Sequence, residues 1–121
     1  MTVEILFAKM LTAFPGMADD GKIFFDHIEV EEGHEITPPY TVLTEIQKDP
    51  FFADDTVYYL TIQHTVELYT ATYDAVLIDK FERFFNRNNV PFSTSVEWRD
   101  DLEMYDVTFN VELDPSEVDE S

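Results

Sequence analysis

Few kinds of side chain in this sequence could do chemistry: three histidines, 26 carboxylates and four serines, with no cysteine. His27, His34 and His64 show neither H-x₃-H nor H-E-x-x-H spacing, so the sequence holds no zinc-protease-like pair. His64 sits among alternating apolar residues, which predicts a hydrogen-bonded core or rim histidine. His34, beside Glu32 and Glu35, reads as part of a solvated loop. The adjacent carboxylates Asp19–Asp20, Glu31–Glu32, Asp54–Asp55 and Asp100–Asp101 would do acid–base or glycosidic work only if their environments split their pKa values. Each pair falls in a predicted turn, where aspartate serves turn geometry, and a chain this acidic makes such neighbours by chance. No D-x-[DN]-x-[DN]-G loop supports calcium. Ser93, Ser95, Ser116 and Ser121 lie outside any G-x-S-x-G or S-x-x-K. The expectation is a protein that is not an enzyme and carries no metal or cofactor.

The elements that would position these residues belong to one domain, since the chain has 121 residues and a mass of 14.1 kDa. Eleven Phe, six Tyr and one Trp can fill a core. Without cysteine there are no disulfides, thiol nucleophiles or thiolate metal sites, which fits a reducing compartment. Three glycines leave little material for a phosphate-binding loop. Seven basic residues against 26 acidic ones give a net charge of −19. That sign excludes general nucleic-acid backbone binding and opposes an anionic membrane surface. No window approaches the roughly 18 apolar residues of a membrane span. Met1–Lys9 does not read as a signal peptide, so synthesis and assembly in the cytoplasm are expected.

Hydrophobic periodicity sets the elements. Val3, Leu6, Phe7, Met10, Leu11 and Phe14 make one helical stripe, with Thr2 as N-cap and Pro15–Gly16 as the stop. Lys22–Glu32 reads as a strand, followed by a loop over Glu31–Pro39. Tyr40–Gln47 is a second strand, Asp49–Asp55 a break, and Val57–Tyr69 a long strand with one wet face. Leu77, Ile78, Phe81, Phe84 and Phe85 define a helix over Asp74–Asn88. A hairpin follows, from Phe92–Trp98 through Arg99–Leu102 to Tyr105–Leu113. The order α-β-β-β-α-β-β predicts an α+β fold: one antiparallel sheet with two helices packed on one face. Residues 1–113 form the domain, and 114–121 a short acidic tail.

Two features read as contact surfaces. Lys80, Arg83 and Arg87 fall on one side of the second helix, away from its apolar stripe, and are three of the seven basic residues. They suit the acidic surface of a second copy. Against that stands a solvated helix face balanced by Asp79 and Glu82. Phe51–Phe52, in the predicted acidic break, would mark an interface if exposed. The alternative is that one of the two tucks into the core.

The strand ending in Val66-Glu67-Leu68-Tyr69-Thr70 precedes a helix and then a hairpin carrying Val96-Glu97-Trp98 and Glu103-Met104-Tyr105-Asp106-Val107-Thr108-Phe109. This arrangement resembles the tail terminator, or tail-completion, proteins of phages with long non-contractile tails. It covers the order of elements from the first helix to about Leu113. The resemblance implies a structural protein that caps the finished tail tube as a hexameric ring and forms the head–tail joining surface. Its partners would be itself, the tail-tube protein and the head connector protein. Its place would be the virion, at the end of the tail facing the head. DNA would pass through the lumen without specific binding, and an acidic wall would suit that passage. The alternative is a small acidic inhibitor that mimics DNA and occupies the basic groove of a host DNA-binding enzyme.

Overall fold

A computed structural model describes residues 1–26, 28, 36–53 and 56–114, with the backbone alone for 45–53 and 56–61. The described chain is an α+β fold of three helices and a five-stranded sheet. Helix α1 (Val3–Ala13) starts where Thr2 accepts a hydrogen bond from the Ile5 amide at 3.3 Å. The stop at Pro15 is also a start. Pro15 opens a short helix α2 (Pro15–Asp19), because its fixed φ and missing N–H suit a first helical turn. Helix α3 (Ala75–Arg87) is capped by Asp74, whose Oδ1 accepts from the Leu77 amide at 3.1 Å.

The strands are β1 (Ile23–Phe25), β2 (Tyr40–Ala53), β3 (Thr56–Thr70), β4 (Phe92–Arg99) and β5 (Met104–Leu113), in spatial order β1-β2-β3-β5-β4. Three expectations are corrected. The first strand spans Ile23–Phe25, starting after Lys22 and ending at Asp26, at φ +72°; the part of the expected strand at His27 and from Glu29 to Glu32 lies outside the described residues. The sheet is mixed and not wholly antiparallel, because β1 runs parallel to β2. A parallel neighbour needs a long return, and the chain between Phe25 and Tyr40 supplies it. The break over Asp49–Asp55 is strand as far as Ala53, so β2 and β3 form a long hairpin. Proline is tolerated there because this part of β2 lies at a sheet edge. Glu31–Glu32, Asp54–Asp55, His27, His34, most of the loop over Glu31–Pro39 and the acidic tail from Pro115 onward lie outside the described residues.

Register divides the sheet into two faces. Leu43, Val66, Leu68, Val107, Phe109, Val111 and Leu113 line the inner face and join Leu6, Met10, Phe14, Ile78, Phe81, Phe84 and Phe85 in one core. Phe81 stacks on Phe14 with ring centroids 4.1 Å apart and on Phe109 at 5.4 Å, so α3 is pinned between the end of α1 and β5. Helices α1 and α3 therefore share one side of the sheet, as their stripes predict. Among the described residues no helix is long and apolar enough to cross a membrane.

Candidate functional site

The outer face of the sheet carries the polar half of each alternating strand: Thr65, Glu67 and Tyr69 on β3, Asp106, Thr108, Asn110 and Glu112 on β5, and Ser93, Ser95, Glu97 and Arg99 on β4. Register sets Tyr40, Tyr69, Asp106 and Glu97 in a row across four strands. The Tyr69 hydroxyl donates to Glu67 Oε2 at 2.5 Å, and the Tyr40 and Tyr69 rings stack at 4.8 Å. Asp106 is only 6% exposed. Its carboxyl accepts from the Thr108 hydroxyl at 3.3 Å and from Arg99 Nη1 at 3.5 Å. Burial, together with the charge and hydrogen bond of Glu67, pushes Asp106 up to about 6. Burial and the bond to Glu67 raise Tyr69 as well, and burial raises Tyr40.

Asp106 and Glu67 thus form a close carboxyl pair on the outer face. Two clefts are prominent elsewhere. One of about 750 Å³ lies between α1 and α3, lined by Ile5, Lys9, Thr12, Phe84, Arg87 and Asn88 among others. One of about 410 Å³ lies beside Pro91, Phe92 and Ser93. Neither is lined by Glu67 or Asp106. Among the described residues no three His, Cys, Asp or Glu side chains group to hold a metal ion.

The sequence-predicted residues fall in separate places. His64 is buried on the inner face, with Nδ1 3.2 Å from the Ile62 carbonyl oxygen, as a core histidine should be. Asp100 and Asp101 are spoken for within the β4–β5 turn: Trp98 Nε1 donates to Asp100, and Arg99 forms a two-pronged ion pair with Asp101. That pairing holds Asp101 below the usual carboxylate range. Lys80, Arg83 and Arg87 are all exposed on α3. Arg83 is bridged to Asp79 at 2.8 Å, and Arg87 lines the α1–α3 groove together with Lys9. Phe51 and Phe52 are backbone-paired in β2, to Tyr59 and Val57, rather than set in a loop. Their side chains lie outside the described residues.

Sequence reasoning looked for carboxylates adjacent in the chain and so missed Glu67 with Asp106. The available signal was the wet phase of two strands, which places both residues outward. Only the register, pairing Tyr69 with Asp106, makes them neighbours.

Helices α1 and α3 differ in charge from the outer sheet face. Helices α1 and α3 carry Lys9, Lys80, Arg83 and Arg87 against Glu4, Asp79 and Glu82. On β3, β4 and β5 the outer sheet face carries Glu67, Glu97, Asp106 and Glu112 against Arg99 alone. No protein-family model matches the chain, and no curated protein shows significant similarity to it.

Proposed function

We propose that the protein is a structural morphogenesis component that caps a finished phage tail tube as a ring and offers the joining surface to the head. The observation that supports this reading is the difference in charge between helices α1 and α3 and the outer sheet face. A surface that complements a different surface on an identical copy makes a head-to-tail contact. Repeated head-to-tail contacts close into a ring when the rotation allows. Lys80, Arg83 and Arg87 of one copy would face Glu67, Glu97 and Glu112 of the next. The resemblance to tail terminators supplies the count of six, the tail-tube and head-connector partners, and the position at the end of the tail facing the head. An acidic lumen would let DNA pass without adhering.

The net charge of −19 per copy opposes this assembly in dilute buffer. Screening lifts the repulsion between whole molecules and so strengthens a ring held partly by buried apolar contacts, whereas a ring held mainly by Lys80, Arg83 and Arg87 against acidic neighbours is weakened by it. The Debye length falls from about 10 Å at 0.1 M to about 3 Å at 1 M. Purified protein at about 0.3 M salt, which screens the repulsion between whole molecules more than pairs in contact, should show closed rings by mass photometry and negative-stain microscopy. The double substitution Arg83→Glu and Arg87→Glu should abolish the rings while leaving the circular-dichroism spectrum unchanged. Rings that survive the double reversal would remove this face from the contact.

A further inference from the structure

The sheet has two unlike edges. Beyond its pairing with β1, strand β2 carries Lys48, Asp49 and Pro50 and two register irregularities, at Glu45/Gln47 and Phe51/Phe52. Lysine, proline and bulges are the usual devices that stop a sheet edge from accepting another strand. At the other edge, β4 has none of them. It reads Phe92-Ser-Thr-Ser-Val-Glu-Trp-Arg99, is unbulged against β5, and is exposed from Ser93 to Trp98.

The Glu112 amide donates to the Pro91 carbonyl, which fixes the phase of the β4–β5 ladder. Ser93, Ser95, Glu97 and Arg99 therefore turn their N–H and C=O groups toward β5. Phe92, Thr94, Val96 and Trp98 turn theirs away from the sheet. The side chains of those same residues lie on the inner face, where Phe92 packs on Phe85 and the Thr94 hydroxyl donates to Glu82 of α3, while Val96 and Trp98 stay exposed. Val96 is 38% exposed and Trp98 45%. Trp98 packs on Tyr105, which meets the exposed Tyr73. On a chain of net charge −19, β4 carries one acid and one base.

We propose that β4 is a self-pairing edge, on which two copies of this chain join antiparallel about a two-fold axis through Ser95. This register places Phe92 opposite Trp98 of the second copy and Thr94 opposite Val96. It uses every outward N–H and C=O group of the strand. On the outer face it sets Ser95 against Ser95 and Ser93 against Glu97, so no like charges meet. The pairing joins the two sheets into one continuous sheet. A second copy fits this edge because the register is self-complementary in hydrogen bonds, apolar contacts and charge at once. The contact is isologous and lies on the sheet edge, so it does not depend on the ring reading, which uses the two faces.

The axis position gives a direct test. Ser95 faces Ser95 as a non-hydrogen-bonded pair, with Cα atoms about 4.5 Å apart, a separation a disulfide spans. Two Ser93 residues would be four strand positions apart, about 13 Å. The chain has no other cysteine to confuse the result. In roughly molar salt, which screens the net charge, Ser95→Cys should oxidise to a covalent dimer at least tenfold faster than Ser93→Cys. Wild type should sediment as a concentration-dependent dimer. Val96→Pro removes an outward N–H that β5 does not use, so it should keep the circular-dichroism spectrum and weaken the dimer at least tenfold. Arg83→Glu with Arg87→Glu should leave the Ser95→Cys crosslink intact, which separates this contact from the ring. Equal crosslinking at positions 93 and 95, a folded Val96→Pro that still dimerises, or a wild type monomeric at all concentrations would overturn the proposal.

Discussion

Asp106 shows how a single carboxyl on the wet side of a sheet becomes unusual. Its own strand gives it only Thr108; Tyr69 and Glu67 arrive from β3 and Arg99 from β4. Burial is the largest cause, and the like charge and hydrogen bond of Glu67 add to it, so ionisation is held off until about pH 6. A carboxyl whose folded pKa lies above its unfolded value of about 3.9 binds more protons in the folded state between those pH values. Its contribution to stability is therefore fully present below about pH 4 and is lost as pH rises through 6. Asp106→Asn should accordingly raise stability at pH 7.5 by about 1–2 kcal/mol, allowing for solvent screening. At pH 4 the same substitution should change little. Urea titration of both proteins at the two pH values measures this. An equal effect at both would mean that Asp106 titrates as an ordinary surface aspartate.

At the scale of elements, stability concentrates where α3 meets β5. Phe81 is fully buried and stacked on both Phe14 and Phe109. Phe81→Ala should cost roughly 3–5 kcal/mol in a denaturant titration, and a loss below about 1 kcal/mol would show that the face is wrongly assigned. This helix was legible in the sequence because Ile78, Phe81, Phe84 and Phe85 repeat at three and four and Asp74 caps the start. The β4–β5 hairpin was legible for the same reason at period two. What escaped was set by pairing rather than by pattern. Lys48-Asp49-Pro50 carries breaker composition, yet edge pairing with β3 keeps it extended. Nothing in Ile23–Phe25 announces a parallel partner, since direction follows from where the connection returns. The basic strip of α3 could be read from spacing alone. Its complement on the outer face needed the register of three strands.

For the whole molecule, the decisive quantity is charge. A net −19 on 121 residues makes the compact state repel itself, so added salt should stabilise it. The urea midpoint should rise steadily between about 0.1 and 1 M NaCl, the range over which the Debye length shrinks about threefold. A midpoint that falls with salt would mean that specific ion pairs, such as Arg99 with Asp101, outweigh the general repulsion. The same repulsion would keep free copies apart until high local concentration on a tube end favours a ring. The ring at the end of the tail is the central claim, and electron microscopy of particles assembled without this protein tests it most directly. The account predicts DNA-filled heads separate from tails, with the tails abnormally long or unfinished. Tails of normal length joined to heads would contradict it.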